Sequence, residues 1–577
     1  MMRLTSCAKA YTSDQDKAVP PEETVARVKR VLGQQGSDIL SEIRRIDSGR
    51  LGIPVFVSEC GDAARRIMPT RKQMGKGASP IQAEASALME LVERYSFFTF
   101  WADETHFEPL TYSEAQARWP GKVMDVARII QSVGETIAPK DAVRVLDTVR
   151  WRFCPALNLA EEREEYVPLD WFKKLNEFNG SSAGNTFEES IFQGACELVE
   201  RHVCARIDRT EPELPTLTLE GCDDPVLARL MGCFAANGIQ VVLKDFTLGM
   251  PVPTVAAVAW DPATFPGVSE IVYTAGTAAS PEKAAIRALT EVAQLAGDFD
   301  SGAVYEASGL TKYTELAQID WLRNGPCVPL SSLPTVARED ILAELRSLAA
   351  GLMERDFTLY AVSTAHPTLA LCANYNFVPG FGFRERDHHA SLGLFVGRIL
   401  AEEADPGEAF AGFEVLDEVY PDAHFMAFFK GVLSLRLDDA AEAATQFALA
   451  EPLQPDDEKK AMAAFYTAYA RTQLGAWQEA IPSLDRAIAL CPEVKEYHNL
   501  RGVARFKQGD YAAAAANFNS ALGIDRGSVM DLANLGVCCK HLGQTDQARD
   551  YLETALKLDP SLDFVRNHLD ELEKQAT

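Results

Sequence analysis

No run of 18 or more uncharged apolar residues occurs in the 577-residue chain, so no membrane-spanning helix is expected. The start, Met1-Met2-Arg3-Leu4-Thr5-Ser6-Cys7, lacks the apolar core of a secretory signal. The twelve cysteines are scattered without a Cys-x2-Cys pair, and the adjacent Cys538-Cys539 is not a zinc spacing. They read as small buried residues of a reducing cytoplasm, the expected location. No Gly-x-Gly-x-x-Gly follows a strand and no Gly-x4-Gly-Lys-Ser/Thr is present, which excludes the Rossmann and Walker-type phosphate loops. Positive charge is scarce: 56 Lys and Arg face 83 Asp and Glu, for a net charge of −27, which argues against nucleic-acid binding. His366, His388 and His389 lack partners at ligand spacing and read as structural or exposed. With 47% hydrophobic residues the chain is globular, and its length calls for two or three domains.

What is present is a repeated pentapeptide, Glu90-Leu91-Val92-Glu93-Arg94 and Glu197-Leu198-Val199-Glu200-Arg201, 107 residues apart. The match runs backwards through Gly77-Ala78-Ser79 and Gly184-Asn185-Thr186, so each copy is a small-residue loop followed by a helix. A degenerate third copy lies 201 residues after the first: Ala279-Ser280-Pro281, then Arg287 to Glu291. Helical spacing aligns Ser86, Glu90 and Glu93, with Arg94 beside them, and Glu189, Gln193, Glu197 and Glu200, with Arg201 beside them. The other faces are apolar, through Leu88, Leu91 and Val92 in one copy and Ile191, Leu198 and Val199 in the other. Such helices are packed, so their carboxylate stripes are expected to face a shared cleft.

Carboxylates gathered in one cleft repel unless cations compensate them. Hard divalent cations take oxygen ligands, and magnesium is commonly shared between carboxylates and phosphates. Two Glu-x-x-Glu pairs with an arginine beside each therefore point to a metal and polyphosphate site. In it the glutamates hold magnesium and the arginines neutralise phosphate oxygens. The bland alternative is a pair of salt-bridged amphipathic helices; recurrence of the whole loop-helix module weighs against it.

Ser86-x3-Glu90-x2-Glu93-Arg94, Ser182-x6-Glu189-x3-Gln193-x3-Glu197-x2-Glu200-Arg201 and Arg287-x3-Glu291 resemble the ATP-binding motifs of the YcaO family, over about residues 1 to 400. Lys9-Ala10-Tyr11-Thr12 with Pro20 to Thr24, Leu51 to Val55, Asn179 to Thr186 and Val378-Pro379-Gly380 are also similar, while Lys17 stands where the family usually has Arg. The resemblance implies ATP and magnesium as cofactors, and activation of a peptide or protein backbone amide by phosphorylation. It implies Glu90, Glu93, Glu197 and Glu200 as magnesium ligands, and Arg94, Arg201 and Arg287 as phosphate ligands. Ser86, Ser182, Asn185, Glu189 and Gln193 are then nucleotide contacts, and Glu291 orients Arg287 or a magnesium-bound water. Azoline-forming members often end in a proline-rich tail, whereas this chain ends Glu571-Leu572-Glu573-Lys574-Gln575-Ala576-Thr577. That shifts weight towards thioamide formation, or towards the subgroup resembling the accessory factor for methylthiolation of ribosomal protein S12.

Along the chain, helix signals begin at Pro20-Pro21-Glu22, and strands are expected at Leu51 to Ser58, Tyr166 to Leu169, Ile239 to Asp245, Thr254 to Trp260 and Ile271 to Thr274. Gly75 to Pro80 and Asn179 to Thr186 read as loops feeding helices, residues 1 to 20 as polar and irregular, and the aromatic run 95–101 as core. The expected fold is an α+β YcaO-like domain with mixed sheets and motif helices, residues 1–400, followed by an all-α tetratricopeptide repeat array, residues 402–577. The array announces itself by period: Gly475, Gly509 and Gly543 are 34 apart, as are Ala480, Ala514 and Ala548, and Ala487, Ala521 and Ala555. An earlier unit holds Ala443 and Ala450, and residues 561–577 read as a cap helix. Such an array offers a groove to a peptide or partner protein, packs on the first domain, or forms a homodimer.

Two functions of different class follow. One is an ATP- and magnesium-dependent enzyme acting on a peptide or protein amide. The other is a nucleotide-regulated accessory protein whose repeats recruit a partner.

Overall fold

The computed structural model describes residues 2–34, 38–47, 50–296, 313–386 and 389–576. The chain forms two compact units, Met1–Thr136 with Arg150–His388, and Ile137–Val149 with His389–Thr577. The helix Leu392–Glu402, on the first-domain side of the composition boundary near 400, belongs to the second unit, as does Pro139–Leu146. Its small residues explain why: Gly393 abuts the ring of Tyr420, which ends the helix Pro406–Val419, and Gly397 abuts Phe429 on the helix His424–Arg436, both in the second unit. Among the described residues no helix is long and apolar enough to cross a membrane.

The first unit carries three sheets. The first has three strands in the order β1 (Leu40–Arg45), β2 (Val55–Cys60), β3 (Lys72–Lys76). The second, of six strands, runs from β4 (Glu108–Leu110) through β5 (Trp151–Asn158), β13 (Tyr360–Ser363) and β14 (Cys372–Phe377) to β7 (Ser181–Gly184), with β6 (Arg163–Pro168) paired to β5. The third, of five strands, has the order β11 (Val272–Thr277), β10 (Thr254–Trp260), β9 (Gln240–Asp245), β8 (Thr216–Thr218), β12 (Cys327–Pro329). In each sheet an edge strand, β3, β7 or β11, feeds a motif helix, Pro80–Ala102, Phe187–Thr210 or Pro281–Ala296. Ser79 and Thr186 cap the first two helices by accepting from backbone N–H groups three residues on.

The helices are pressed onto their strands by apolar faces, as the sequence pattern required. Leu88, Leu91, Val92, Ile191, Leu198, Val199, Leu289 and Val292 are fully buried. Small residues set the approach. Gly75, Ser182 and Gly276 are equivalent strand positions, and Ala87, Gly194 and Ala288 the facing helix positions, at offsets of 107 and 201. A Cβ on Gly75 or Gly276 would overlap the backbone nitrogen of Ala87 or Ala288. The second module inverts the pair: Ser182 occupies the strand, and a Cβ on Gly194 would lie 2.7 Å from Ser182 Oγ.

Local readings shift accordingly. Gly75 and Lys76, expected in a loop, close β3, and the loop expected over 179–186 contains β7, because both segments pair with a neighbouring strand. The strand expected from Leu51 begins at Val55, after Gly52 at φ +64°. His366 lies 5.4 Å from the Tyr95 ring, His389 lies 3.9 Å from Asp456, and His388 is outside the described residues.

In the second unit, helix pairs repeat: Asp457–Gln473 with Trp477–Leu490, Lys495–Lys507 with Tyr511–Ile524, and Val529–His541 with Thr545–Leu558. His424–Arg436 with Ala440–Ala450 precedes them, and Asp563–Ala576 closes the array. Gly475, Gly509 and Gly543 sit at φ +73°, +81° and +74° just past the first helix of each pair, a conformation only glycine adopts without cost. The six periodic alanines are fully buried where the helices touch.

Gly75→Ala is expected to cost about 2–4 kcal/mol through backbone overlap and to lower the melting transition of the first unit. Gly33→Ala, with nothing within 4 Å of the new methyl group, is the control and leaves that transition unchanged or higher in calorimetry.

Candidate functional site

The three modules enclose a cavity of about 260 Å³. The first helix contributes Ser86, Glu90, Glu93 and Arg94, the second module Asn185, Glu189, Gln193, Glu197, Glu200 and Arg201, and the third Arg287 and Glu291. Both acidic stripes therefore face one hollow. Ser182 is the predicted site residue that does not line it. It is buried, and its Oγ accepts from Asn376 Nδ2 at 2.9 Å and lies 3.3 Å from Ser190 Oγ. Its small side chain fills the strand-to-helix contact described above.

Burial dominates the electrostatics. Desolvation raises Glu90 despite Arg94 and Lys76, and raises Glu200 despite Arg287 and Lys76. Burial, with Glu197 and Glu90 nearby, pushes Glu93 up to about 8 against the pull of Arg94. Burial acts on Glu197 too, but the Arg201 and Arg94 guanidiniums outweigh it and hold that carboxyl below its ordinary range. Arg201 Nε donates to Glu197 Oε1 at 2.8 Å, and Arg94 lies 3.5 Å from Glu93 and 3.9 Å from Glu90. Burial and the Arg287 guanidinium bring the Lys76 ammonium down to about 8. Lys76, from β3, pairs with Glu291 across the cavity.

Two guanidinium groups keep unused donors. Arg94 Nη1 and Arg287 Nε are buried without a hydrogen-bond partner. A buried donor left unmet costs about 1–3 kcal/mol, and more when charged, so each marks a place for an acceptor. The carboxylates show a matching need. Among the described residues no group of three His, Cys, Asp or Glu side chains is placed to hold a metal by itself. A donor set made of carboxylate oxygens suits a hard divalent cation, and such a cation here needs further oxygens from a ligand to complete its shell. An anion bearing several oxygens meets both demands.

Part of the wall was not legible as a site. Residues 2–20, read as polar and irregular, form a strap across the starts of all three modules. Thr5 N–H donates to Glu188 at 2.6 Å, Ala18 N–H to Glu189 at 2.8 Å, and Asp14 accepts from Ala78 N–H at 3.0 Å. Lys283 donates to Thr12 O at 2.8 Å, and Lys9 joins Glu344 at 2.6 Å and Asp16 at 2.9 Å. Gln15, Lys17 and Val19 from this strap line the cavity. Glu189 is consumed in holding it, since it also accepts from Asn185 Nδ2 at 3.1 Å and lies 3.7 Å from Lys17. The one signal for the strap was the similarity of Lys9 to Thr12 and Pro20 to Thr24 to a family start.

A family model described as YcaO cyclodehydratase, ATP- and Mg2+-binding, matches residues 74–382, and tetratricopeptide repeat models match 434–494, 467–529 and 505–563. An uncharacterised protein of Methanothermobacter thermautotrophicus is 32% identical over 290 residues, 48% of this chain and 70% of that one. The ribosomal protein S12 methylthiotransferase accessory factor YcaO of Escherichia coli is 29% identical over 211 residues, 33% of this chain and 35% of its own. A solved heterocyclase in complex with substrate and cofactor shares the fold at 20% identity and a TM-score of 0.51, over 66% of this chain and 54% of that one.

The raised Glu93 makes a pH prediction for the ligand-free protein. Its folded value of about 8 exceeds the ordinary 4.5, so the fold favours the neutral form. That contribution is fully present below about 4.5 and is lost as pH rises through about 8. Glu93→Gln should therefore melt progressively higher than the parent protein between pH 5 and pH 8.5. A constant offset across that range in thermal melts would contradict the assignment.

Proposed function

The chain belongs to the YcaO family, and from that premise we propose that its first unit phosphorylates a backbone amide of a peptide or protein. The product is an amide prepared for conversion to a thioamide or an azoline-type ring. The observation that carries this reading is the pairing of two buried, partnerless guanidinium donors with four desolvated carboxylates in one hollow. ATP with magnesium fits both halves of that set, and when bound it supplies a phosphoryl group that turns an amide oxygen into a leaving group.

The chain's own residues have separate tasks. Glu90, Glu93, Glu197 and Glu200 hold magnesium jointly with phosphate oxygens. Arg287 and Arg94 neutralise phosphate charge through the donors now unmet, and Arg201 does so while clasping Glu197. Ser86, Asn185 and Gln193 face the nucleoside, and Lys17 with Glu189 braces that wall. Lys76 pairs with Glu291 at the cavity wall. The apolar packing behind the helices fixes these groups before ligand arrives, so little reorganisation is left to the reaction. The repeat array recruits the peptide or a partner protein to the first unit.

A second reading, a nucleotide-regulated accessory protein for methylthiolation of ribosomal protein S12, draws on the similarity to the accessory factor. It expects nucleotide-dependent partner capture with little turnover.

Glu197→Gln should lower ATP hydrolysis at least about 100-fold, with Arg287→Met comparable, because each removes charge stabilisation at the phosphates. Robust hydrolysis by Glu197→Gln, measured as phosphate release, would sink the metal assignment. Mass spectrometry of a co-expressed peptide then separates water loss, the azoline outcome, from oxygen-to-sulfur exchange, the thioamide outcome; an unmodified peptide held in a stable nucleotide-dependent complex favours the accessory reading.

A further inference from the structure

A second cavity, of about 180 Å³, lies against the first and shares Glu200, Arg201 and Glu291 with it. Its far side is β11, through Tyr273, Thr274 and Ala275, and the second motif helix closes it at Cys204. β11 is the edge of the five-stranded sheet among the described residues.

The direction of the β11 backbone can be read from its neighbours. Thr254 O accepts from Phe246 N–H on the β9 side, so the facing pair Thr254 and Thr277 is not hydrogen-bonded across β10 and β11. Thr277 N–H accordingly points away from the sheet and donates to Glu200 Oε2 at 2.9 Å. Antiparallel pairs alternate, so Ala275 and Tyr273, opposite Ala256 and Val258, also turn their N–H and C=O groups outwards. These are the residues that line the second cavity.

The first module shows how such a group is met. On its edge strand β3, Met74 N–H is answered by the Glu90 carboxylate. Ala275 and Glu291 occupy the equivalent positions at the offset of 201, but Glu291 pairs with Lys76, and among the described residues no carboxylate answers Ala275 N–H. Tyr273 is held in place beside it: its hydroxyl donates to Asp208 at 2.6 Å and accepts from Arg384 Nη2 at 3.1 Å.

We propose that the edge of β11 at Tyr273 and Ala275, which has no strand partner among the described residues, is the docking site of the substrate peptide, which adds to the sheet as an extended strand and thereby brings one backbone amide to the wall shared by the two cavities. The occupant follows from the place. An edge that offers N–H and C=O groups on every second residue recognises peptide backbone, and this edge ends at carboxylate and arginine side chains that face the nucleotide cavity. Side-chain identity is read weakly by such pairing, so the edge supplies register and alignment while sequence choice is made elsewhere. The inference rests on the amide-activation reading above.

The test uses the full chain with ATP and magnesium and a pool of capped synthetic decapeptides of mixed sequence, with phosphate release as readout. The strongest stimulator is remade with a single backbone N-methyl group walked along it. Stimulation should fall at least about tenfold at alternate positions and change little between them, as expected when every second amide faces a sheet edge. Ala275→Pro removes one outward N–H, which an edge strand tolerates, and should weaken stimulation by the unmethylated peptide about tenfold while calorimetric affinity for ATP stays within about twofold. An N-methyl scan without alternation, or full stimulation in folded Ala275→Pro, overturns the edge docking and leaves amide activation standing. If ATP binds and no peptide in the pool raises phosphate release, the amide-activation reading fails and the docking site falls with it.

Discussion

Mutual repulsion among desolvated carboxylates is the constraint to which the first unit is built. Glu90, Glu93, Glu197 and Glu200 are held near one another by helices whose remaining faces are buried. Several responses coexist. Glu93 takes up a proton, Glu197 takes Arg201, and Glu200 accepts the N–H of Thr277. Each is partial, and the donors left over on Arg94 and Arg287 show that the compensation is designed around something larger than a side chain. A site poised in this way loses stability as pH rises when empty, and recovers it on binding a cation and a polyanion together.

The three edge strands make this arrangement possible. An edge strand carries outward N–H groups that must be answered, and here motif carboxylates answer them: Glu90 for Met74 and Glu200 for Thr277, with Glu189 answering Asn185 just past β7. The same side chains thus close the sheets and furnish the cavity. This double duty explains why the motif strands are short and why small residues press the helices so near to them. A wider spacing would separate the carboxylates from the edges they satisfy.

Helical spacing made the stripes legible, since it fixes which side chains share a face, and the apolar remainder fixed which face turns inwards. The 34-residue period was equally plain, because Gly475, Gly509 and Gly543 are required by backbone conformation and the periodic alanines by close approach. Ser182 lies outside the cavity lining because its motif position is a strand-to-helix packing contact; the Gly194 facing it was the clue, as the partner of an inverted small-residue pair. The pairing of Lys76 was not legible, because it depends on a strand pairing and on Glu291, more than 200 residues away. The strap at residues 2–20 was invisible to periodicity, since its order comes from hydrogen bonds to distant loops and from no pattern of its own.

That strap has a consequence for biosynthesis. Its anchors include Asp340, which accepts from Ser6 Oγ at 2.6 Å and Cys7 N–H at 2.7 Å, and Glu344, which holds Lys9. The strap residues therefore wait for partners made more than 300 residues later, an interval of tens of seconds at about 5–20 residues per second. Until then the hollow has no roof, and a nascent chain carries its carboxylates without the strap that covers them. Assembly of the hollow is thereby tied to completion of the whole first unit.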